Sequence, residues 1–321
     1  MKTARISRHG GPEVIEFLDA SLGAPGPGEV TLRHTAIGLN FIDIYHRTGL
    51  YPLSLPSGLG LEAAGVILDV GEGVALKPGQ RVAYGAGPIG AYSQARVMPA
   101  AKLVPVPDAV SDEIAAAMML KGMTARFLLK QTYPVKAGEV ILVHAAAGGV
   151  GLILCQWAKA LGAVVIGTSS PAKMALAGAH GCDHVIDYTS ENVAVRVREI
   201  TGGAGVSVVY DGVGQATLMA SLDSLRPRGL LVSFGNASGP ITGLDLGLLS
   251  ARGSLYVTRP TLMTHVQNEQ NLRENASDLF EIVASGAVKI EIGQRYALSD
   301  VARAHAELAT RRTTGSSVFV P

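Results

Sequence analysis

Two patterns of apolar and polar positions divide the chain. In about the first 110 residues, short apolar stretches are separated by clusters of Gly and Pro, which is typical of a small domain built mainly from β-strands. Further along, apolar runs alternate with segments of helical period, which indicates strands joined by helices. The strands predicted in the first part are residues 29–35, 64–70, 80–83 and 92–97.

The second part runs from residue 138 to about residue 260 and has six strand-like runs. Strands joined by helical crossovers form an open parallel sheet, so this part predicts an α/β fold with a doubly wound Rossmann sheet. The predicted strands are residues 140–145, 163–168, 184–187, 206–210, 230–234 and 254–258. The predicted helices between them are residues 150–161, 171–179, 192–200 and 216–225.

A helix is predicted to bridge the two parts. Ser111 can cap its start, and Asp112 and Glu113 suit the positive end of the helix dipole, so we expect a helix that runs to Leu129. Helical patterns return at residues 270–284 and 300–310.

The chain ends in a short strand-like run at residues 317–320, which is expected to rejoin the first domain. We therefore predict a discontinuous mainly-β domain made of residues 1–121 and 265–321. The Rossmann domain is predicted to span residues 122–264.

Composition narrows the classes of function. Hydrophobic residues make up 48%, charged residues 17%, and the formal net charge is +1, which indicates a globular protein without a field that would attract nucleic acid or an anionic membrane. A cofactor-holding structural or RNA-binding protein is an alternative, but aromatic residues are only 5%, which disfavours a basic, aromatic RNA-binding face.

The first ten residues are charged and lack the apolar core of a signal peptide, so a cytoplasmic protein is expected. The uncharged run at residues 140–158 is near the length of a membrane span. His144, Gly148 and Gly149 interrupt it, so we interpret it as a buried strand, a turn and a helix.

The most informative motif is this glycine-rich turn. The run Val140-Ile-Leu-Val-His-Ala-Ala-Ala-Gly-Gly-Val-Gly151 gives a strand, a tight turn and an apolar helix, with Ala146 in place of the first Gly of G-x-G-x-x-G. Gly148 allows the backbone to approach a pyrophosphate, Gly151 allows the helix to pack on the strand, and the N–H groups at the helix start face the anion. A structural turn in another βαβ fold is the alternative.

The next strand indicates which dinucleotide is bound. NAD-binding proteins carry an acid at the end of this strand for the ribose 2′-hydroxyl, whereas here the sequence is Ile166-Gly-Thr-Ser-Ser-Pro-Ala-Lys173. Ser169, Ser170 and Lys173 suit a 2′-phosphate and predict NADPH. A solvated helix start, with Pro171 in the first turn and a surface lysine, is the alternative.

No metal is expected. Cys155 and Cys182 are the two cysteines, too few for a four-cysteine zinc site or a disulfide scaffold, and they fit a reducing compartment. In His180-Gly-Cys-Asp-His184, Gly181 is predicted to end a helix and His184 to open a strand, so the two imidazoles should diverge. Without a Lewis acid, an easily reduced acceptor such as a quinone or an alkene conjugated to a carbonyl is expected.

The chain resembles the NADPH-dependent quinone oxidoreductases, the ζ-crystallin-like branch of the zinc-free medium-chain dehydrogenase/reductase superfamily. The resemblance covers nearly the whole chain and is most specific in Gly138–Lys159, where Gly148-Gly149-x-Gly151 is followed by Gln156 and Lys159. It extends to His9-Gly-Gly-Pro-Glu13, Gly38-Leu-Asn-Phe-Ile-Asp43, Gly60-Leu-Glu-Ala-Ala-Gly65 and Ser233-Phe-Gly-Asn236.

The resemblance implies a GroES-like substrate domain, a Rossmann domain, a cleft between them and a homodimer. In zinc-bearing relatives a Cys ligand takes the place of Asn40 and a His ligand that of Leu61. It implies NADPH-dependent reduction of a small quinone, and NADPH-dependent reduction of the C=C bond of an alkenal or enone is the alternative.

The resemblance also implies roles for individual residues. Asn40 and Tyr45 are the catalytic candidates, bordering the nicotinamide and the acceptor. The other cofactor candidates are Thr124 near the nicotinamide or phosphates; Gly148, Gly149 and Val150 at the pyrophosphate; Ser169, Lys173, Tyr188 and Arg311 at the 2′-phosphate; Phe234, Gly235 and Asn236 along the groove; and Thr258 at the nicotinamide end. One departure is Gly212, where such relatives often carry Ser.

Blander interpretations remain for several of these residues. Asn40 can serve a loop backbone, Tyr45 can be a packing residue, and Arg311 with Arg312 can form a solvated helix end. Glu62, flanked by apolar residues, is interpreted as a paired structural acid rather than an acid catalyst. Tyr45 or water can supply a proton.

Overall fold

The computed structural model describes residues 1–321 and divides into two compact units. The first unit contains Met1–Met123, His265–Ala284 and Ile290–Pro321. The second unit contains Thr124–Thr264 and Ser285–Lys289.

The strands alternate with turns in the N-terminal part and with helices in the central part. In chain order they are β1 (Lys2–Ile6), β2 (Ile15–Asp19), β3 (Glu29–Leu39), β4 (Ser57–Gly58), β5 (Ala63–Val70), β6 (Arg81–Tyr84), β7 (Ala95–Pro99), β8 (Val104–Pro105), β9 (Val140–Val143), β10 (Val164–Ser169), β11 (His184–Asp187), β12 (Val206–Asp211), β13 (Leu225–Ser233), β14 (Tyr256–Thr258), β15 (Ile292–Ala297) and β16 (Ser316–Val320).

The helices are concentrated after residue 110. In chain order they are α1 (Phe41–Thr48), α2 (Asp112–Phe127), α3 (Gly149–Ala160), α4 (Met174–Ala179), α5 (Val193–Ile200), α6 (Leu218–Ser224), α7 (Gly247–Ala251), α8 (Leu262–His265), α9 (Glu269–Ala284) and α10 (Val301–Ala309). Helix α2 continues into a π-helical turn at Leu128–Thr132.

The first unit is built on a sheet with the order β15-β16-β3-β5-β6-β8, and β7 also pairs with β3. A smaller sheet has the order β2-β1-β4. Strand β16 pairs with β3 and β15, so the C-terminal strand does rejoin the first part of the chain, as predicted. Apolar side chains such as Leu32, Ile67 and Phe319 fill the core beneath these strands.

The first unit differs from the sequence-based expectation in two details. Strand β7 begins at Ala95 rather than at Tyr92, because the N–H of Tyr92 donates to the Leu59 carbonyl and the chain turns there. Helix α1 was not predicted at all. It starts after Asn40, and a side-chain oxygen of Asp43 accepts the Asn40 N–H at 2.9 Å as part of a capping box.

The second unit is an open six-stranded sheet with the order β11-β10-β9-β12-β13-β14 and every neighbouring pair parallel. This confirms the predicted doubly wound Rossmann sheet. Strand β13 starts at Leu225, five residues before the predicted start, and Arg228 within it adopts a left-handed φ of 59°. The polar residues at this irregular part of the strand interrupt the apolar run, so the sequence pattern indicated only the second half of β13.

The apolar run at residues 140–158 folds as strand β9, a turn and helix α3, as predicted. No helix in the structure combines the length and the apolar character needed to cross a bilayer.

Candidate functional site

The glycine-rich turn joins the carboxyl end of β9 to helix α3. Gly148 caps the helix without any side-chain hydrogen bond, and the N–H groups of the first helical turn have no acceptor within the helix. A Cβ at Gly151 would lie 2.3 Å from the carbonyl oxygen of Ala145, so only glycine fits there. A Cβ at Gly148 would lie 3.2 Å from the same oxygen. The turn therefore has the open backbone and exposed donors that bind a diphosphate.

The turn stands at the point where the strand order of the sheet reverses. From β9 the chain crosses to β10 and β11 on one side, and then to β12, β13 and β14 on the other. In open parallel sheets, ligands bind at the carboxyl ends of the strands beside this switch point. Topology and the glycine turn thus select the same edge of the sheet.

A buried polar network supports the turn from below. The hydroxyl of Ser221 donates to Asp211 Oδ2 at 2.9 Å, so His144 Nε2, 3.0 Å from the Ser221 oxygen, must be the protonated ring nitrogen. His144 Nδ1 then accepts from Thr168 Oγ1 at 3.1 Å, and Thr168 Oγ1 accepts the N–H of Ala145 at 3.3 Å. Burial lowers the pKa of His144, which agrees with a neutral imidazole. The network holds Ala145, whose φ is 55°, in its left-handed conformation.

The candidates for the 2′-phosphate lie after the neighbouring strand β10. Ser169 is its last residue, and Lys173 ends a short 3-10 turn that begins at Pro171. The N–H of Tyr188 donates to the Ser169 carbonyl at 3.3 Å, so Ser169 and Tyr188 are neighbours although they are 19 positions apart. Tyr188 is exposed. Residues that carry hydroxyl, ammonium and phenol groups thus lie at this strand end.

The groove candidates Phe234, Gly235 and Asn236 follow β13 in an extended loop. The N–H of Phe234 donates to the Asp211 carbonyl at 2.8 Å, and a Cβ at Gly235 would lie 2.2 Å from the Gly212 carbonyl oxygen. The loop therefore lies directly against the end of β12.

Arg259 was missed by the sequence reasoning. Its Nη1 donates to the carbonyls of Ser233 and Gly235, both at 3.0 Å, and so fixes the start of this loop. In the sequence, the only signal for Arg259 was that it directly follows Thr258, a predicted site residue that ends β14. Thr124, in helix α2, is buried and belongs to the second unit.

The two catalytic candidates belong to the first unit. Asn40 precedes α1, and Tyr45 lies within α1, where its ring contacts those of Phe41 and Tyr51 at centroid distances of 5.8 and 5.1 Å. Both side chains are buried. The aromatic neighbours of Tyr45 are compatible with a packing role and with a flat ligand stacked beside them.

Asn40 forms a capping box with Asp43 at the start of α1, and its side-chain amide also contacts a buried acid. Its Nδ2 donates to Glu62 Oε2 at 2.7 Å. Glu62 is fully buried and also pairs with Lys121, whose Nζ is 3.0 Å from the same oxygen. Glu62 is thus a paired acid, as the sequence suggested, but its partner lies 59 positions away and was not predicted.

A second buried polar chain begins at Asp43 in α1. Tyr92 donates its phenolic hydrogen to Asp43 Oδ2 at 2.7 Å, and His305 Nε2 lies 3.2 Å from the Tyr92 oxygen. Arg47 Nη1 lies 3.2 Å from His305 Nδ1. Burial raises the pKa of Asp43 to about 7, and burial lowers the pKa of His305 to about 3. The network therefore favours a neutral carboxyl group and a neutral imidazole.

Arg311, the last of the 2′-phosphate candidates, lies in the first unit just after α10. It is exposed and has a left-handed φ of 60°, and its N–H donates to the Leu308 carbonyl at 3.0 Å. Its backbone thus closes the helix.

The two cysteines are neighbours in space. The Cys155 thiol donates a hydrogen bond to Cys182, and this bond and burial both raise the pKa of Cys155 well above its usual range. Both are free thiols packed in the second unit. His180 follows α4, Gly181 has a φ of 96°, and β11 opens at His184, as predicted. No group of three or more His, Cys, Asp or Glu side chains is arranged to hold a metal ion.

Family models match both units. One for the alcohol dehydrogenase GroES-like domain matches residues 26–108, and one for zinc-binding dehydrogenases matches residues 149–281. A quinone oxidoreductase of Pseudomonas aeruginosa is 57% identical over 323 aligned residues, covering 100% of this chain and 99% of the relative. A 2-haloacrylate reductase of a Burkholderia species is 46% identical, covering 99% and 98%.

Among solved structures, the quinone oxidoreductase of Escherichia coli complexed with NADPH has a TM-score of 0.98 at 48% identity, with full coverage of both chains. Fold, domain matches and identity over the whole length agree. This chain belongs to the quinone oxidoreductase branch of the medium-chain dehydrogenase/reductase superfamily, and it is an oxidoreductase.

Proposed function

We propose that this protein oxidises NADPH and reduces a small quinone to the hydroquinone. The observation that carries the proposal is the glycine turn at the switch point of the parallel sheet, which offers free N–H donors to a diphosphate. The similar Pseudomonas aeruginosa protein is named a quinone oxidoreductase, and the similar E. coli structure was solved with NADPH. Bound NADPH supplies a hydride, which is the chemistry that a quinone accepts.

The chain's own residues bind and orient in this proposal. Gly148, Gly149 and Val150 bind the pyrophosphate through their backbone, and Thr124, Thr258 and the loop Phe234–Asn236 border the rest of the cofactor. Ser169, Lys173, Tyr188 and Arg311 surround the 2′-phosphate. Lys173 offers the cation and β10 ends without an acid, which supports NADPH over NADH.

We assign the acceptor to the surroundings of Asn40 and Tyr45. Holding a flat acceptor against the nicotinamide accounts for a large part of the rate in such a reaction, because orientation replaces a bimolecular encounter. The Tyr45 ring, packed between Phe41 and Tyr51, supports the stacking of a quinone. The hydride supplies one hydrogen and two electrons, and a single proton from Tyr45 or from water completes the hydroquinone.

The experiment that tests the cofactor assignment uses Lys173→Ala and a matched control. We expect Lys173→Ala to raise the KM for NADPH by about tenfold or more, since a charged hydrogen bond is lost, and to leave the KM for NADH nearly unchanged. Lys136→Ala removes an exposed lysine just before β9, at the opposite edge of the sheet, and should change neither constant. Equal effects of Lys173→Ala on both cofactors would contradict the assignment.

Reduction of an electron-poor C=C bond is the second candidate, favoured by the similarity to a 2-haloacrylate reductase. A side-by-side assay with 1,4-benzoquinone, an alkenal and 2-chloroacrylate distinguishes the two. Faster turnover of the quinone, by about tenfold or more in kcat/KM, is expected, since about 1.4 kcal/mol in the barrier is enough for that factor. A preference for either alkene would transfer the assignment to the C=C reduction.

The proposal includes a homodimer formed through the edge strand β14. This strand has β13 on one side only, and Tyr256 is 60% exposed although it lies in a strand. Leu246 and Met263, near it in sequence, are also exposed. An apolar strand edge of this kind is a template for pairing with a second copy. Tyr256→Lys should yield monomers in sedimentation velocity, whereas an unchanged dimer would exclude this edge.

We further propose that the protein acts in the cytoplasm. Two neighbouring cysteines that remain free thiols support a reducing compartment. Fractionation of cells that express the native protein tests this, and recovery outside the cytoplasmic fraction would contradict it.

A further inference from the structure

Glu62 is a buried acid that none of the roles proposed above includes. Its side chain is fully buried and its carboxylate accepts three hydrogen bonds. Oε1 accepts the N–H of Leu120 at 2.7 Å. Oε2 accepts from Asn40 Nδ2 at 2.7 Å and from Lys121 Nζ at 3.0 Å.

The surrounding chain is shaped to admit this carboxylate. A Cβ at Gly38 would lie 2.2 Å from Glu62 Oε2 and 2.4 Å from the Ala116 carbonyl oxygen, so any larger residue in β3 would displace Glu62. Lys121, with its side chain 6% exposed, neutralises the buried charge. Gly38 lies in the motif Gly38–Asp43 and Glu62 lies in the motif Gly60–Gly65. The contact between these two residues joins the two motifs.

The chemistry of the contact fixes which way the Asn40 amide faces. An ionised carboxylate only accepts hydrogen bonds, so it must meet the NH2 end of Asn40 and repels the carbonyl end. The carbonyl Oδ1 therefore points away from Glu62. It takes part in the capping box at the start of α1, and its second lone pair can accept from a ligand. Neither a glutamine nor a protonated acid at position 62 would impose this, because each also carries a donor.

We propose that Glu62 is a positioning residue for the reaction, and that with Lys121 it makes Asn40 present a hydrogen-bond acceptor to the ligand. The proposal rests on the proposed function, since Asn40 is assigned there to the border between nicotinamide and acceptor. A quinone has no donor for this oxygen. The groups that fit are donors, either the carboxamide NH2 of the nicotinamide or the hydroxyl of the hydroquinone product.

Glu62→Gln is the decisive variant, because it keeps the shape of the side chain and adds a donor. The oxygen of the new amide can accept the Leu120 N–H, but its NH2 group then faces Asn40 and turns the Asn40 amide around. The affinity for the donor ligand should fall by about tenfold or more, since two donors would then face each other. Glu62→Asp keeps an acceptor-only group and should retain most of the affinity, even where both variants lose thermal stability. Glu113→Gln breaks an exposed ion pair with Arg295 and is the matched control without effect.

Three probes identify the ligand by calorimetry and inhibition: NADP+, 2′-phospho-ADP-ribose, which lacks the nicotinamide, and 1,4-benzohydroquinone. If the carboxamide is the partner, Glu62→Gln weakens NADP+ and leaves 2′-phospho-ADP-ribose unchanged. If the hydroquinone is the partner, only its inhibition constant rises. In the Asn40→Ala background Glu62→Gln should have no further effect, and additive losses would overturn the proposal.

A measurement on the unaltered protein covers the case in which Glu62→Gln does not fold. The side-chain NH2 signals of Asn40, assigned by their loss in Asn40→Ala, should include one hydrogen that exchanges slowly with solvent, because it is bonded to a buried carboxylate. Rapid exchange of both hydrogens would overturn the positioning role. Failure of the proposed function is a separate result, namely no heat with NADP+ in the wild-type protein.

Discussion

The ring of Phe234 lies against Gly212, so that a Cβ at Gly212 would be 3.0 Å from the ring carbon Cζ. The family resemblance implies a serine at this position in many relatives, and here the aromatic ring occupies the space that the serine would need. Gly212→Ser should therefore displace Phe234 from the groove. We expect the Kd for NADPH, measured by fluorescence titration, to rise several-fold.

The partner variant Phe234→Leu lacks Cζ. It therefore separates steric displacement of the ring from any other effect of the serine. If steric displacement is the reason, Gly212→Ser should have little effect in the Phe234→Leu background. An equal loss in both backgrounds would mean that the serine acts in some other way.

Gly151→Ala should disable the dinucleotide turn. Its methyl group would meet the Ala145 carbonyl 2.3 Å away, and this oxygen is main chain and cannot move aside alone. We expect NADPH binding to fall by at least about tenfold, together with a lower Tm. Gly178→Ala, within α4, is the control: its methyl group would have no atom nearer than 4.0 Å and should raise stability by up to about 1 kcal/mol. Normal binding in Gly151→Ala would refute the close approach.

Ser221→Ala should show how much the buried network contributes to stability. The change removes the donor to Asp211 and the acceptor of His144 Nε2 at once. Leaving buried polar groups without partners costs about 1–3 kcal/mol, which should appear in urea unfolding. Ser277→Ala loses an exposed hydrogen bond to Glu281 and should change the free energy of unfolding by less than about 0.5 kcal/mol. Similar effects of the two variants would argue against the network.

The carboxyl group of Asp43 should give stability an unusual dependence on pH. Burial raises its pKa from 3.8 to about 7, so between these values the folded protein holds a proton that the unfolded chain has released. This contribution is complete below the unfolded pKa of 3.8 and is lost as the pH rises to about 7. The buried histidines act in the opposite sense, because burial lowers the pKa of His34 to about 4 and that of His305 to about 3.

Asp43→Asn isolates this effect, because an amide mimics the neutral acid and keeps an oxygen for Tyr92. The free energy of unfolding of Asp43→Asn relative to wild type should increase from about pH 4.5 to about pH 7.5, by at most about 1.4 kcal/mol per pH unit. A difference that stays constant over this range would mean that Asp43 is ionised throughout.

The sequence predicted the parts of the fold that depend on local pattern. The central strands β9, β10 and β12 appear as mainly apolar runs because they are buried on both faces. The glycine turn is recognisable because its three constraints fall within four residues. Helix α1 escaped prediction because its buried side includes Asp43, His46 and Arg47. Two of these, Asp43 and Arg47, are tolerated inside because Tyr92 and His305, distant in sequence, bond to them.

The same limit applies to the candidate site. The family resemblance suggested Asn40, and its apolar neighbours identified Glu62 as a paired acid. No pattern in the sequence linked Glu62 to Lys121 or to the space above Gly38. His144 appeared only as an interruption of an apolar run, whereas its role is to brace the turn through Thr168. Contacts between residues so far apart are produced by the fold and carry no local signature.

Strand β16 follows all of β9–β14 in the sequence, yet it lies between β3 and β15 in the sheet of the first unit. During synthesis, β3 must therefore wait for β16 to be translated before it gains this neighbour, whereas β9–β14 have all emerged by then. The second unit can therefore fold before synthesis ends, whereas the sheet of the first unit is completed last. A stop codon placed directly after Lys289, before β15, should consequently unfold the first unit and spare the second.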